Sequence, residues 1–412
     1  MKKNNVLVSI DLGTSKTTVL VGDFDDTGEL NIVGLGNTES NGIDKGIVVK
    51  PKDAILGLKK SIYDAETSSG VRIDSAIVNI GGQHLESKNI SDFLTFGSNQ
   101  KEIDEIDILT LVDKVSERVN QEQYKVIHII PKKFILDDED EVIDPKGFIA
   151  SKILGEFHVV LCKVNTYANF KKVIESAGIK VIDFVANPIA SAASTLYQEE
   201  KEMGVLLIDI GGGTTDIAVL KNGSFEFIKT IPVGGNRITL DIAHRFRISK
   251  SDAEELKIDF GLAIVEALTE NKILEINPIG SEEIIEISQY ELVDTIEARL
   301  EEIFNIVKQE VEAANLLDKI NGGVVITGGV ANTPYIKELA ASIFNTDVRI
   351  GKPKDYRGFS DKLNYPEYST PIGIMLFKKN NFNFEKKSVA IKEESDILSI
   401  LKNILEKIKS IF

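Results

Sequence analysis

The chain has 412 residues, 42% of them hydrophobic, with 48 Lys and Arg against 64 Asp and Glu and a formal charge of −16. That length and apolar content suit two to four globular domains. The acidic balance argues against a general nucleic-acid binder, which needs a basic surface to displace counterions from phosphates, so any anionic ligand must be held locally, by backbone amides or a few lysines.

The opening, MKKNNVLVSIDLG, has two lysines but neither a long apolar run nor a small-residue cleavage site, so no signal peptide is expected. No window reaches the ~18 apolar residues of a membrane span, and a cytoplasmic protein is expected. VLVSIDLGTSKTTVLVGDF from Val6 then reads as strand, turn, strand, and VLLIDIGGGTTDIAVLKNG from Val205 repeats that plan. The strand-end acids Asp11 and Asp209 are 198 residues apart. Solenoid repeats recur every ~20–50 residues, so this spacing points instead to two similar domains facing each other. Glycines in such turns let backbone approach a phosphate closely, and turn amides with Thr and Ser hydroxyls donate to its oxygens. Asp11 and Asp209 are then placed to hold the waters of a magnesium ion.

Between Gly82 and Leu161 the pattern gives a compact unit, led by a strand near Ala76 to Ile80. It has a helix from about Asp104 to Val119 and strands at KVIHII, KFIL and FHVVL. The lone cysteine, Cys162, lies in the apolar run VVLCKV and reads as an inert core thiol. His84, His128, His158 and His244 show no ligand-like spacing, so no histidine metal site is expected. Toward the end, GGVVITGGVANTPYIKELA gives a buried strand, Gly328-Gly329, then a helix expected to start with Thr333 as cap and Pro334 at its first position. Glycines before a helix start admit a nucleotide near the positive helix end. Gly212 and Gly328 are therefore expected to make room for ligand rather than to serve the fold. Neither GxxxxGK(S/T) nor GxGxxG occurs, which removes the P-loop and Rossmann readings.

After the apolar segment TPIGIMLF, Thr370 to Phe377, the composition turns polar. From Lys378 onward eight Lys outnumber five acidic residues, a net of +3 that leaves −19 for the body. In the last sixteen residues Ile397, Leu398, Ile400, Leu401, Ile404, Leu405, Ile408, Ile411 and Phe412 fall within an arc of about 160° at 100° per residue. The opposite face carries Lys402, Lys407 and Lys409 against one Glu406. Such a helix is ~24 Å long, short of the ~30 Å hydrocarbon core, so it is expected to lie on an anionic membrane surface and not to cross it.

The two hairpins and the strand-Gly-Gly-helix element, in this order, resemble the actin, hexokinase and Hsp70 superfamily, as phosphate loop 1, phosphate loop 2 and adenosine motif. Within it the chain most resembles the FtsA family of bacterial cell-division proteins, over most of its length. The narrower resemblance is carried by PKKFILDDEDEVIDPKGFIASKILGEFHVV, Pro131 to Val160, and by IPVGGNRITLDIAHRF from Ile231 followed by SDAEELKIDFG from Ser251. It implies an α/β, actin-like fold of two similar domains around a nucleotide cleft, with an inserted FtsA-type subdomain and a C-terminal amphipathic helix. The implied first core domain is 1–81 and 163–202, to which part of 370–377 returns. Residues 82–162 form the inserted subdomain, which serves filament contacts. Residues 203–235 and 299–369 form the second core domain and 236–298 a small nucleotide-side subdomain. Residues 378–395 are a linker and 396–412 the membrane-targeting helix.

ATP and Mg2+ are the implied cofactors. Gly13, Thr14, Ser15 and Lys16 would meet the phosphates from one side and Gly211, Gly212, Gly213 and Thr214 from the other. Gly235 and Asn236 follow phosphate loop 2, and Asp11 and Asp209 are the magnesium-side acids. The nucleoside would lie against Glu254 and Lys257, of the pattern Ala253-Glu254-Glu255-Leu256-Lys257, and against Gly328, Gly329 and Val330. Asn187, in FVANPIASAAS, stands where many superfamily members carry a Glu or Gln that positions the attacking water. Asn is shorter and is no base. Since such help is worth ~10²–10⁴-fold, weak or absent ATPase activity is expected, and Asn187→Glu is expected to raise the rate where geometry permits. Arg299, in IEARLEEIFNIVKQEV, resembles the family arginine that binds the carboxyl-terminal tail of FtsZ, although an Arg beside Glu on a helix is commonly a solvated pair.

The implied function is an ATP-binding cell-division protein that polymerises and anchors the FtsZ ring to the cytoplasmic face of the cell membrane at the division site. Two other readings stay open: a pilus-assembly-type adaptor and a small-molecule kinase of the same superfamily. The kinase lacks an evident substrate acid or base beyond the magnesium-side acids. An Hsp70-like chaperone would need more than the 35 residues after Phe377 for a peptide-binding domain.

Overall fold

The strand Val205–Ile210, sequence VLLIDI, is buried at all six positions, as expected of a strand covered on both faces. Its alternate side chains feed different cores. Leu206, Ile208 and Ile210 pack with Leu300, Ile303 and Phe304, whereas Val205 and Leu207 join the core that contains Ile189 and Ala190. The computed structural model describes residues 6–378 except 26, 98–99, 120–121 and 282. The expected membrane-targeting helix, 396–412, and all of the expected linker but Lys378 lie outside the described residues.

Two sheets repeat one topology. The first runs Leu30–Glu39, Lys16–Phe24, Val6–Leu12, Ser75–Ile80, Lys180–Ala186, with the short strand Tyr356–Arg357 added beside Leu30–Glu39. The second runs Ser224–Ile231, Thr215–Lys221, Val205–Ile210, Val324–Thr327, Val348–Ile350. In each, a three-stranded antiparallel meander is followed by two parallel strands. Helices α1 (Pro51–Ser69), α3 (Val164–Ser176) and α4 (Asn187–Thr195) cover the first sheet through residues such as Leu58, Phe170 and Ile189. This is the pair of similar domains that the two hairpins implied, in the α/β, actin-like architecture that the family resemblance implied.

The inserted unit is a four-stranded sheet in the order Asp140–Val142, Tyr124–Leu136, Lys152–Lys163, Leu85–Thr95. Helix α2 (Glu105–Val119) packs on it through Ile108, Leu111 and Val115. The sequence-derived strands KVIHII and KFIL are one strand, Tyr124–Leu136, despite Pro131. The strand Asp140–Val142 pairs only with Phe134 to Leu136, so at Pro131 that edge is open and no ladder hydrogen bond is lost there; Lys132 is bulged out beside it. Leu85–Thr95, LESKNISDFLT, was not expected as a strand. It is an edge strand whose polar residues fall on both faces, which hides its period. Cys162 is buried, and burial pushes its thiol up to about 12, in keeping with an inert core residue.

Helix α5 (Gln198–Met203) leads into the second sheet. Helices α6 (Gly235–Phe246) and α7 (Lys250–Phe260) and a hairpin of Ile273–Ile276 with Ile285–Ser288 build the small subdomain. Helix α8 (Gln289–Ala313) then runs unbroken from it onto the second sheet, through position 298 where the family resemblance implied a division of the two units. A capping box at Ser288 and Glu291 starts it. Helix α9 spans Ile336–Phe344. It starts later than expected because Tyr335, at φ 65°, interrupts the turn after Thr333 and Pro334. A final helix over 369–378 returns to the first sheet, packing Ile372, Met375 and Leu376 against Leu20, Leu30 and Ile32. Among the described residues no helix is long and apolar enough to cross a membrane.

Candidate nucleotide site

Both hairpin turns close in the same way. Gly13 N donates to Lys16 O at 3.0 Å, and Gly211 N donates to Thr214 O at 2.9 Å. In register, Asp11 faces Thr18 and Asp209 faces Asp216. The turns meet tip to tip: a Cβ on Gly212 would run into the Ser15 side chain, and one on Gly213 into Thr14. Gly212 therefore serves the contact between the two hairpins and is not only a ligand clearance. Gly328, at φ 85°, would drive a Cβ into Asp209 and the Ile210 carbonyl. The expectation that these glycines spare the fold is corrected by both contacts, and at Gly328 the left-handed backbone adds strain for any other residue.

A cavity of about 590 Å³ lies between the hairpins, the start of α6, α7 and the loop after Val324–Thr327. It is lined by Asp11, Gly13, Thr14, Ser15 and Lys16 from the first hairpin and by Asp209, Gly211, Gly212, Gly213 and Thr214 from the second. Asn187, Gly235, Asn236, Glu254, Lys257, Gly328, Gly329 and Val330 complete the expected set. Thus every residue singled out for nucleotide, metal or water lines one space. Its size falls within the ~300–1,000 Å³ of small-ligand sites.

Three acids meet there. Burial, together with the charges of Asp209 and Asp216 and against the pull of Lys16, raises Asp11 to about 7. Burial and then the Asp209 charge raise Asp216 to about 7, against hydrogen bonds from Thr230 and Asn187. Asp209 is also raised by burial, against hydrogen bonds to Oδ2 from Ser191 Oγ (2.5 Å) and Thr370 Oγ1 (3.2 Å). Carboxylates this costly to ionise fit a hard divalent cation, which would stabilise their charge. Among the described residues no group of three acids or histidines closes into a direct cage; magnesium held through waters and phosphate oxygens needs none.

Asn187 is engaged at both ends of its amide. Asn79 Nδ2 donates to its Oδ1 at 3.1 Å, and its own Nδ2 donates to Asp216 Oδ2 at 3.2 Å. Asn79 in turn accepts from Leu12 N at 2.7 Å, so a hydrogen-bonded chain joins the two hairpins behind the cavity. On the opposite wall Lys257 Nζ donates to Glu254 Oε2 (2.7 Å) and Thr239 Oγ1 (2.9 Å). Burial lowers the Lys257 pKa, against the Glu254 charge.

Arg299 lies away from this cavity, on α8. Its Nε donates to Asp241 Oδ2 at 2.5 Å and its Nη1 to Glu302, so its guanidinium is held by one carboxylate of α6 and one of α8. Sequence reasoning missed Asp216, Ser191, Glu367 and Thr370. Asp216 had a readable signal, since it follows the second turn as Thr18 follows the first. Thr370 reaches Asp209 from 161 residues away and had none.

Comparison with known proteins agrees with this geometry. Residues 206–373 match the family model "Cell division protein FtsA", 82–161 match "SHS2 domain inserted in FTSA", and 167–244 match "Hsp70 protein". The chain is 35% identical to the cell division protein FtsA of Borreliella burgdorferi over 404 residues, covering 97% of each. It is 33% identical to that of Pseudomonas aeruginosa over 377 residues, covering 92% of this chain and 90% of the relative. Among solved structures it is similar in fold to a PilM-PilN type IV pilus biogenesis complex, with TM-score 0.63, 14% identity and 90% and 98% of the two chains covered. It is likewise similar to MreB 5 of Spiroplasma citri bound to AMPPNP, with TM-score 0.56, 15% identity and 94% and 99% covered. On its sequence relatives the chain belongs to the FtsA family of cell-division proteins.

Proposed function

We propose that this actin-like cell-division protein binds ATP with magnesium between its two hairpins, turns it over slowly, polymerises, and ties the FtsZ ring to the membrane. The observation that carries the reading is the single cavity walled by both Asp-x-Gly turns and the Gly328-Gly329 loop. Amides and hydroxyls of the turns, with Lys16, would hold the phosphates. Asp11, Asp209 and Asp216 would face the cation, which when bound offsets phosphate charge. Val330, Glu254 and Lys257 would face the nucleoside.

Slow turnover rests on Asn187, whose amide is spent on Asn79 and Asp216 and which is not a base. The FtsZ contact rests on the region of Arg299, where a partner carboxylate would have to displace Asp241 or Glu302. Membrane attachment rests on the amphipathic pattern of Ile397 to Phe412. Burying part of that face at ~1.5–3 kcal/mol for each full side chain, with up to ~1 kcal/mol per lysine near anionic lipid, exceeds the cost of ordering a short helix.

Electron microscopy of the full chain with MgATP on an anionic lipid monolayer is the test. Membrane-attached filaments are expected, lost for Lys16→Met and for a chain ending at Lys387. Filaments equal in all three proteins, or none from the unaltered chain in any nucleotide, would overturn the reading.

A further inference from the structure

The chain reaches the first sheet at Tyr356–Arg357, which pairs with Leu30 and Asn31, and the turn Pro366–Tyr368 then touches the second core domain before the helix over 369–378 packs on the first. Pro366 O accepts from Gly328 N (3.3 Å) and Thr327 Oγ1 (3.2 Å) on the second domain. The Tyr368 hydroxyl accepts from Asn37 Nδ2 (3.2 Å) on the first. Between these attachments Glu367 enters the cavity wall. Its Oε2 accepts from Asn332 Nδ2 at 2.9 Å, beside the Gly328-Gly329 loop, and its Oε1 lies 3.8 Å from Lys16 Nζ in the first hairpin. Lys16 Nζ also sits 4.0 Å from the centroid of the Tyr368 ring.

These distances differ in kind. At 2.9 Å Glu367 is hydrogen-bonded to Asn332; at 3.8 Å it attracts Lys16 by charge without a hydrogen bond. The lysine is thus held beside the turn by a carboxylate and a ring face, while its N–H donors are not committed to Glu367. A carboxylate in the wall of a phosphate site repels the ligand that the rest of the wall attracts. Its presence makes sense as a competitor: phosphate oxygens offer the same lysine charge-assisted hydrogen bonds.

We propose that Glu367 is a nucleotide-displaced strap, which bridges Lys16 of the first core domain to Asn332 of the second and competes with nucleotide phosphates for Lys16. The strap rests on the nucleotide reading above and adds a response to it. When Lys16 passes to phosphate, the turn loses its charged attachment to the first hairpin. The helix that starts directly after the turn ends at Lys378, whose Nζ pairs with Asp183 Oδ2 at 2.5 Å.

The test uses the full chain, calorimetry with MgATP, MgADP and adenosine, and thermal melting without nucleotide. Glu367→Gln keeps an oxygen for Asn332 and removes the charge. MgATP and MgADP should then bind about tenfold more tightly, and adenosine, which has no phosphate, should bind as before. Without nucleotide the variant should melt lower than the parent. Lys16→Met, which also gives up the Tyr368 ring and the attraction to Asp11, should melt lower still, and the double variant no lower than Lys16→Met alone, because both exchanges break the one bridge. Unchanged MgATP affinity, an equal gain for adenosine, or additive losses in melting temperature would each overturn the strap while leaving the nucleotide site standing. Absence of MgATP binding by the unaltered chain would remove the site itself.

Discussion

In the first hairpin the residue facing the strand-end aspartate is Thr18; in the second it is Asp216. The turn that ends in Lys16 on one side ends in Thr214 on the other, with the same hydrogen bond closing each. Backbone geometry has been kept through the duplication and charge has not. The first copy presents one acid, Asp11, with a cation and hydroxyls, and the second presents glycine amides and two acids, Asp209 and Asp216. A polyphosphate with its metal is itself polar from end to end, so two identical jaws would serve it worse than two unlike ones. The comparison therefore teaches that topology sets where the jaws meet, and a few substitutions at equivalent register positions decide what each can hold.

Making the copies alike should have the largest effect. Thr18 is fully buried and its hydroxyl donates to Asn37 Oδ1, in the register position that Thr230 holds opposite Asp216, while the Asn37 Nδ2 donor is engaged with the Tyr368 hydroxyl. Thr18→Asp would bury a carboxylate against the Asn37 amide oxygen, at a cost of about 3–5 kcal/mol. Thermal melting should show a steep loss, while Thr18→Val should cost about 1 kcal/mol. Equal melting of Thr18→Asp and the parent would mean that packing does not impose the asymmetry.

Removing the extra acid should act in the opposite direction. Asp216 has a folded pKa of about 7 against 3.8 for an ordinary aspartate, so the folded chain holds its proton after the unfolded chain has released it. Without nucleotide, stability conferred by that proton is complete below about pH 4 and lost as the pH rises to about 7. Asp216→Asn has no such proton to lose. It should be more stable than the parent at pH 8 by about 2–4 kcal/mol, with the advantage fading toward pH 4. With MgATP present the order should reverse, because the parent alone offers the cation this carboxylate. A parent whose melting temperature does not fall between pH 5 and pH 8 would contradict the assignment.

Pushing the jaws apart should cost less in stability and more in binding. In Gly212→Val the side chain meets Ser15 of the other hairpin, an overpacking worth about 1–3 kcal/mol. Calorimetry should find MgATP weakened by up to about hundredfold. Ser15→Gly in the same chain should recover part of that loss, which a clash with ligand alone would not allow.

How much of this was legible in the sequence follows the same division. Both hairpins were readable because Asp-x-Gly and a β-rich run recur at each, and the pairing of the strands followed from them. The charge differences at residues 18 and 216 were also printed there, but their meaning needed the register that sets one against the other. Glu367, Thr370 and Ser191 were not readable, since each acts through a partner in a different segment and nothing in YPEYSTPIG or IASAAS marks them locally. The strand Leu85–Thr95 was missed for another reason: an edge strand with polar residues on both faces has no hydrophobic period to find.

The smallest effect concerns Asn187, which belongs to neither jaw but is bonded to both through Asn79 and Asp216. By itself the sequence favours Asn187→Glu as the exchange that speeds hydrolysis. The hydrogen bonds favour Asn187→Gln. A Glu carboxylate cannot donate to Asp216 and would add an anion beside one that burial already raises to about 7. Gln keeps the donor and extends the amide one methylene further. Gln positions water without being a base, and a Glu base would lose the hydrogen bond to Asp216 and face its charge, so neither reaches the full ~10²–10⁴-fold of general-base help: phosphate release at saturating MgATP should rise only a few-fold for Asn187→Gln and less for Asn187→Glu. A larger gain from Glu would mean that Asp216 does not need the Asn187 donor. Turnover above ~1 per second in the unaltered chain, within the ordinary enzyme range, would remove the slow-hydrolysis reading altogether.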